Sequence, residues 1–431
     1  MSLGNELSRF AYAALIAFSF FGCSDDATEA PSTHDFAIRD VRVFDGTSVI
    51  DRTTVIVRGD RIVELGAGAS IPSDLDVFDG TGKTLLPGLI DAHAHVWTEA
   101  DLAQAAIFGT TTVLDMGTCS PAGAVRLRNA AGQPGSSWAD LRTAGFLVTT
   151  PGGHGTESPC PVPTMSDPSE APGFVDARIA EGSDYIKIVY DDGHAIGIPY
   201  KTFSKTTLAA IVEAAHARGK LAVVHIGALQ DAVDAIEVGA DGIEHLFIDK
   251  SPTPDFASLL ASHGAFAVPT LSVLRSVTGA SIGLSIAADP HFAPFLSQGA
   301  VTGLTKTFDP LRTVTSYGAA EEAVRMLKDA RVPLLAGTDA PNPGTAHGAS
   351  MHAELGLLVA AGLTPVEALT AATQAPADRF GLGDRGRIAV GARADLLLVN
   401  GDPTVDIQAT ADIVSVWKRG MLLRRAAAAS R

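Results

Sequence analysis

The chain has 431 residues and a net charge of −16, and 46% of its residues are hydrophobic. This charge gives no general attraction to phosphates, so the composition argues against a nucleic-acid binder. The high apolar content excludes a disordered chain. Three cysteines in a chain of this length exclude a disulfide scaffold. The length suggests two or three domains, although α/β barrels commonly exceed about 250 residues as one unit.

The N-terminal residues are typical of a targeting signal rather than of a folded element. Residues 10–22 are almost entirely apolar, and a polar run follows them. Because this stretch is too short for a helix across a hydrocarbon core of about 30 Å, we interpret residues 1–23 as an export signal and residues 24–34 as a linker. The end of the stretch, Gly22-Cys23, resembles a bacterial lipoprotein signal. We therefore expect an exported protein, either periplasmic or anchored to the membrane as a lipoprotein through Cys23.

Export also bears on the two remaining cysteines. In an oxidising compartment Cys119 and Cys160 could form a disulfide. Two free thiols fit the sequence equally well, so the pairing stays open at this point.

Short strands separated by turns are predicted at both ends of the chain. Residues 36–78 contain four runs rich in Val and Ile that end at Gly or Asp-Gly, and residues 386–423 have the same character. Neither end has enough strands for a core of its own. We therefore predict one small β-sandwich domain composed of residues 35–86 and 385–425, with residues 87–384 forming a larger domain between them.

The larger domain alternates apolar runs with Ala-rich stretches of helical spacing. Helices are predicted at 207–219, 229–240 and 319–330. Eight β-like runs alternating with helices predict an α/β fold, a (β/α)8 TIM-type barrel, while a doubly wound open sheet is the competing fold. The β-like runs are 84–95, 110–117, 141–150, 184–191, 220–227, 242–247, 265–271 and 332–340.

Metal-binding residue types lie at the ends of these runs. His93 and His95 are two positions apart, so in a strand both imidazoles point to the same side. A His-x-His pair by itself is a weak signal for metal. However, the carboxyl ends of barrel strands meet on one rim, where barrel active sites are built. A barrel would therefore bring these residues together in one site, which a doubly wound sheet would not explain. The further residues at such ends are Lys187, His225, His245 and Asp339.

With these residues in place, the chain resembles the amidohydrolase superfamily, in the branch of imidazolonepropionase-like and Xaa-Pro dipeptidase-like metal hydrolases. The motifs that carry the resemblance are LLPGLIDAHAHV, GTTTVLDMG, DYIKIVYDDG, AVVHIG, GIEHLF, GTDA and PADRFGLGDRGRIAVGARADLLLVNGDP. The resemblance implies two divalent metal ions, with Zn2+ expected. The implied ligands are His93, His95 and Asp339 for one metal and His225 and His245 for the second, with Lys187 bridging them.

A lysine can bridge two metals only as an anion. An ammonium group would be repelled by the metals, and a neutral amine has a single lone pair. Reaction with CO2 gives a carbamate with two oxygens, so we expect Lys187 to be an N6-carboxylysine. A charged lysine inside an apolar strand would otherwise be costly. An unmodified Lys187 would instead favour one metal, held by His93, His95, His225 and Asp339.

The expected chemistry is hydrolysis of an amide-type C–N bond in a dipeptide, an N-acyl amino acid or a cyclic amide. A hydroxide bridging the metals is the expected nucleophile, because a bound metal lowers the pKa of water to about 7. Asp339 is the expected proton shuttle to the leaving amine. An esterase, lactonase or phosphoesterase at the same metals is an alternative, and an inactive amidohydrolase-like binding protein is an alternative of another class.

Loop residues near the rim are candidates for substrate contacts. His154 follows two glycines after the third run, and Tyr190 and His194 follow Lys187. Asp115 ends the second run and is a candidate hydrogen-bond partner of a ligand histidine. The expected partner is a small amide or peptide, with no nucleic acid and with membrane contact only through a lipid anchor. Assembly into a homo-oligomer stays open.

Overall fold

The computed structural model of the protein describes residues 35–157, 160–308 and 315–427. The export signal predicted over 1–23 and the linker over 24–34 lie outside these residues, so export and lipidation of Cys23 stay predictions. Among the described residues, no helix combines the length and the apolar character needed to cross a membrane.

Short strands form both ends and the centre of the described chain. In chain order they are β1 Phe36–Phe44, β2 Val49–Arg58, β3 Arg61–Gly66, β4 Asp76–Asp79, β5 Lys83–Pro87, β6 Leu89–Ala94, β7 Thr110–Asp115, β8 Asp140–Thr143, β9 Ile186–Tyr190, β10 Ala222–Ile226, β11 Gly242–Glu244, β12 Phe266–Val268, β13 Leu396–Asn400, β14 Ile413–Lys418 and β15 Met421–Leu422. Strands β6, β7 and β9 are buried along their whole length. Such strands are typical of a sheet that is covered on both faces.

Helices connect the central strands. In chain order they are α1 Glu99–Ile107, α2 Pro121–Ala131, α3 Ala171–Ala180, α4 Lys205–His216, α5 Leu229–Glu237, α6 Phe256–His263, α7 Leu271–Val277, α8 Gly283–Ala288, α9 Gln298–Thr305, α10 Tyr317–Asp329, α11 Ala349–Ala360, α12 Pro365–Ala371 and α13 Gln374–Arg379. Short 3-10 helices cover Pro168–Glu170, His194–Ile196 and Ile407–Ala411. Helices α4, α5 and α10 form where Ala-rich periodic stretches predict them.

Both ends of the chain contribute to one eight-stranded sheet. Its order is β15-β14-β13-β5-β1-β2-β3, with β4 beside β1. The ends meet where β5 pairs antiparallel with β13, with Pro87 opposite Leu396. Trp417 stacks on Phe36 with ring centroids 5.1 Å apart, so the two ends share an apolar core. The domain boundaries, 35–86 with 385–425 and 87–384, stay a prediction.

The middle of the chain forms two parallel sheets. One contains β6, β7 and β8, and the other has the order β12-β11-β10-β9. At one edge Val148, after β8, forms a single bridge with Ile188 in β9. Apolar helix residues pack against the outer side of these strands in one large cluster. This part of the chain is therefore an α/β unit with alternating strands and helices.

The predicted eighth strand, residues 332–340, forms no regular strand in the described structure. It is nevertheless held on both sides. The amide of Leu335 donates to a β12 carbonyl at 2.9 Å, and the carbonyl of Ala336 accepts from a β6 amide at 2.8 Å. Gly337 packs so tightly that a Cβ there would lie 2.8 Å from the β6 backbone, and Asp339 has a φ of 54°. The prediction of a regular strand is wrong because the segment leaves the extended conformation at Asp339.

A buried ionic cluster joins the composite sheet to the parallel strands. Asp140, at the start of β8, lies 2.7 Å from Arg393 Nη1 and 2.8 Å from Lys418 Nζ. Arg385 adds a third contact at 2.8 Å. Burial alone would raise the pKa of Asp140, but these cations outweigh it and hold the pKa well below its ordinary value. Arg419 lies further away, at 3.4 Å. Asp140 is thus the shared counter-ion of four cationic side chains from the C-terminal part of the chain.

We predict that Asp140→Asn lowers the free energy of unfolding by about 3–5 kcal/mol, because it removes the ion-pair partner of the buried Lys418 and one of the partners of Arg385 and Arg393. Urea denaturation at pH 7 measures this loss. The matched control is Asp51→Asn, whose carboxylate pairs with Arg42 but is 74% exposed; there we expect a change within about 0.5 kcal/mol. Equal stability of the two variants would contradict the assigned role.

The same ion pairs predict a pH dependence. Because the folded-state pKa of Asp140 is depressed, its stabilisation is complete above the ordinary Asp pKa of about 4 and is lost as the pH falls below it. The stability difference between the wild type and Asp140→Asn should therefore narrow at acidic pH.

Candidate active site

The end of β6 and the 332–340 segment bring three ligand-type side chains together. His93 and His95 point to one side, whereas Ala94 between them packs among the outer apolar residues. The Nε2 atoms of His93 and His95 lie 3.4 and 3.2 Å from Asp339 Oδ1. One ligand atom from each of the three residues falls within 4.8 Å of the others, a spacing that suits a single metal ion.

The hydrogen bonds of this cluster direct electron pairs toward its centre. The Nδ1 of His95 lies 2.9 Å from the carbonyl of Gly117, which can only accept, so Nδ1 carries the proton and Nε2 presents a lone pair. The Nδ1 of His93 lies 2.6 Å from Glu244 Oε2. Asp339 Oδ1 has no hydrogen-bond donor among the described residues. Three electron-pair donors thus face one another in a buried space, which fits a cation between them.

Two further histidines continue the cluster along the strand ends. The ring of His245 lies 4.6 Å from that of His93 and 4.6 Å from that of His225, measured between centroids. The Nδ1 of His245 lies 2.7 Å from the Thr270 hydroxyl. The Nε2 of His225 lies 3.4 Å from Asp191 Oδ2, which leaves the Nδ1 of His225 as the nitrogen that can bind a metal. The four histidine rings form one continuous row.

Lys187 lies in β9 beside this row. It pairs in register with Val223, so it shares a sheet face with His225, two positions further along β10. Its neighbours Ile186 and Ile188 pack instead among the outer apolar residues. The side chain is only 2% exposed. Burial lowers the pKa of Lys187, while the surrounding carboxylates oppose that shift.

The protonation states suit metal binding. Burial lowers the pKa of His93 and His245 well below the ordinary value, and it also lowers the pKa of His225. Burial alone would raise the pKa of Asp339, but the nearby His93 and His95 outweigh it and bring the pKa to about 2. For His95, burial alone would lower the pKa, but the contact with Asp339 outweighs it and raises the pKa. The cluster therefore offers an ionised carboxylate and three neutral imidazoles, the forms that bind metals, while at His95 a metal ion would compete with a proton.

The loop after β8 brings His154 to the end of the row. Its ring lies 4.9 Å from the ring of His225 and 4.9 Å from that of Tyr200. Its Nδ1 lies 2.6 Å from Glu157 Oε1. The structure therefore places His154 beside the candidate ligands, as the sequence predicts, and adds Tyr200, which the sequence analysis does not identify.

The other two predicted substrate contacts are not part of this row. The Tyr190 hydroxyl donates to Asp234 Oδ2 at 3.1 Å, and its ring packs in the outer apolar cluster. The physical reason is strand alternation, because Tyr190 lies three positions from Lys187 and faces the other way. His194 is 54% exposed and bonds to Asp192 on its own loop. Neither side chain joins the row of rings in the described structure, so their contacts with substrate stay predictions.

The chain is similar in sequence and structure to known hydrolases. A model of the Amidohydrolase family matches residues 84–423. The chain belongs to the amidohydrolase family. This confirms the resemblance and the enzyme class predicted from the sequence motifs.

Individual relatives of this amidohydrolase are distant but cover most of its length. It is 26% identical over 389 residues to an imidazolonepropionase of Deinococcus radiodurans, covering 82% of this chain and 86% of that one. Among solved structures, a Xaa-Pro dipeptidase with bound methionine matches with a TM-score of 0.72 and 24% identity, over 90% of this chain and 99% of that one. A putative prolidase from Bifidobacterium longum matches with a TM-score of 0.72, 25% identity and coverage of 92% and 97%. These likenesses support the shared fold, which belongs to the TIM-barrel superfamily.

Several residues that hold the ligands were missed by the sequence analysis. Glu244 precedes His245, and strand alternation would put their side chains on opposite faces. His245 has a φ of 72°, however, and both side chains reach the site. Thr270 is another left-handed residue, with a φ of 49°. Asp115 was predicted to hydrogen-bond a ligand histidine, but in the described structure its oxygens accept from the Val96 amide and the Thr143 hydroxyl. It acts on His95 only through its charge.

We predict that Glu244→Gln weakens metal binding about 10- to 100-fold, since carboxylates that hold a ligand histidine contribute to affinity on this scale. Competition with a chromogenic chelator measures the affinity. The matched control is Glu213→Gln on the exposed side of α4, where we expect no change. An unchanged affinity in Glu244→Gln would show that the contact with His93 does not orient the ligand.

Proposed function

We propose that this amidohydrolase is a metal-dependent hydrolase of amide-type C–N bonds in a small substrate such as a dipeptide, an N-acyl amino acid or a cyclic amide. The observation that carries the proposal is the convergence of His93, His95 and Asp339 on one buried point with their electron pairs directed inward. The family relationship supports the reaction class, and the site chemistry supports activity rather than binding alone.

We also infer that the two parallel sheets are parts of a closed (β/α)8 barrel. Three single bridges support closure: Val148 with Ile188, Ala267 with Leu334, and Ala94 with Ala340. They connect β8 to β9, β12 to the 332–340 segment, and that segment to β6. In such a barrel the four candidate histidines and Asp339 lie toward the carboxyl ends of strands, where barrel active sites are built, and Lys187 lies inside β9.

The cluster of His93, His95 and Asp339 fits one divalent ion. We propose a second ion beside it, and zinc for both, since imidazole and carboxylate ligands suit it. His93, His95 and Asp339 would hold one ion, and His225 and His245 the second. The side chain of Lys187, buried beside both groups, would join them as a carbamate: its neutral Nζ forms a bond to the carbon of CO2, one C–O π bond breaks to give the carboxylate, and a proton from Nζ passes to water. This supplies two anionic oxygens where an ammonium group would be repelled.

The chain's own residues would bind the substrate and move the proton. Bound divalent ions would supply a water of pKa near 7 and polarise the carbonyl. Asp339, ionised and without a donor on Oδ1, is placed to accept a proton and return it to the departing nitrogen. An amide nitrogen leaves poorly unless it is protonated, so this transfer matters as much as the attack. His154, which ends the row of rings, is placed to contact the substrate.

Two observations favour amides over the alternatives. The family relatives include an imidazolonepropionase and dihydroorotases, and a solved prolidase of similar fold was complexed with N-methylphosphonate-L-proline. Esters, lactones and phosphoesters use the same kind of site, so they form the comparison set in a substrate screen. An inactive binding protein would show no turnover with any of these compounds.

We predict that Asp339→Asn lowers kcat at least about 100-fold, the scale of a lost acid/base group, while metal analysis still finds bound metal. The assay follows release of free amine from a dipeptide and N-acyl amino acid library. Asp329→Asn, at the exposed end of α10, is the matched control and should keep full activity. Near-normal turnover by Asp339→Asn would remove the proposed proton role.

We further predict a carbamate signal from Lys187. Protein equilibrated with 13C-labelled bicarbonate should give a carbamate carbon resonance that is absent in Lys187→Arg, and metal content should fall with it. Lys220→Arg, near the start of β10, controls for the loss of a lysine. The same spectrum from Lys187→Arg and the wild type would contradict the bridging role.

A further inference from the structure

A disulfide connects two loops that flank the candidate site. Cys119 and Cys160 are bonded, with their Cα atoms 5.3 Å apart and 41 positions between them in sequence. This Cα distance is in the ordinary range for a disulfide. The structure thus settles a pairing that the sequence left open, and the position of the bond relative to the site suggests a role for it.

The first loop, residues 116–120 between β7 and α2, is firmly anchored. The amide of Met116 donates to Ala94 O at 2.9 Å, and that of Thr118 donates to Gly145 O at 3.0 Å. The carbonyl of Gly117 accepts from His95 Nδ1 at 2.9 Å. Cys119 therefore belongs to a segment that is already tied to β6 and to the candidate ligand His95.

The second loop follows β8, and we define the His154 loop as residues 149–157 with 160–165. Its base is closed by a bridge between Thr149 and Thr164. Within it, the Thr149 hydroxyl donates to the His154 carbonyl at 2.9 Å, and the amide of Thr156 donates to Gly153 O at 3.1 Å. These bonds are local to the loop. The loop is also held on the β9 side, where the amide of Lys201 donates to Gly152 O at 3.1 Å. Among the described residues, none of these bonds joins the outer part of the loop to the β7 side of the site.

The contacts of His154 require that the loop be held in place. Its ring meets two partners on other segments, His225 and Tyr200, each at a centroid distance of 4.9 Å. Gly155 packs so closely on Leu147 that a Cβ there would lie 2.9 Å from Leu147 Cδ1. Small displacements of the loop would therefore change the position of the His154 ring relative to the candidate ligands.

We infer that Cys119 and Cys160 are positioning residues: their disulfide fixes the His154 loop against the segment that orients His95, and so holds the substrate-binding side of the site in shape. The kinetic consequence rests on the proposed function. Without the bond, the loop must be ordered at each binding event, at a cost of up to about 1.5 kcal/mol, which is about tenfold in affinity. The metal ligands lie on strand ends and keep their places.

The test compares the wild type with the double variant Cys119→Ser with Cys160→Ser, each with and without dithiothreitol. Thiol counting of the oxidised wild type establishes the bond. Amide hydrogen exchange should rise in the His154 loop of the variant and of the reduced wild type, while exchange in β9 to β12 and the metal content stay unchanged. KM should rise up to about tenfold with kcat within about twofold. Dithiothreitol should not affect the variant, and reoxidation should restore the wild type.

Two outcomes would overturn the inference. One is the presence of free thiols at Cys119 and Cys160 in oxidised protein. The other is unchanged exchange in the His154 loop after the bond is removed. The exchange measurement needs no substrate, so it separates this inference from the proposed function. If the protein cleaves no amide but hydrogen exchange in the His154 loop rises on reduction, the positioning role of the disulfide is supported and the proposed hydrolase function is rejected.

Discussion

The structure depends on one electrostatic constraint, which is that several electron-pair donors face one another in a space with almost no solvent. A buried carboxylate oxygen without a donor, facing the Nε2 atoms of two imidazoles at 3.2 and 3.4 Å, is unfavourable in a protein interior unless a cation lies between them. The surrounding fold can be understood as the framework that holds His93, His95 and Asp339 in this arrangement. Proposals about metals, chemistry and loop position all follow from it.

The framework uses strand ends and a second layer of hydrogen bonds. Glu244 holds the His93 ring and Thr270 holds the His245 ring. Thr270 is itself followed by α7, whose first amides, those of Leu271 and Ser272, donate to the buried carboxylate of Glu354 in α11. The orientation of a candidate ligand is thus linked to a helix far along the chain. Left-handed backbone at His245, Thr270 and Asp339 is the conformational cost of this geometry.

Much of this site could be predicted from the sequence because it depends on local rules. The spacing of His93 and His95 and the position of His225 at a strand end both follow from strand periodicity and parallel topology. The same rule places Tyr190 outside the row of rings, because it faces the opposite way from Lys187. Glu244 was not predicted because the alternation of side chains along a strand breaks down at His245, whose backbone is left-handed. Tyr200 was not predicted, and the pairing of Cys119 with Cys160 stayed open, because the course of a long loop depends on contacts between distant segments.

The most direct test of the account is anomalous X-ray diffraction at the zinc edge from crystals grown with zinc. We expect two peaks, one within about 2.0–2.2 Å of ligand atoms of His93, His95 and Asp339 and a second beside His225 and His245. A single peak at the first position would reduce the proposal to a one-metal site. An absence of any peak between His93, His95 and Asp339 in zinc-replete crystals would contradict the central claim.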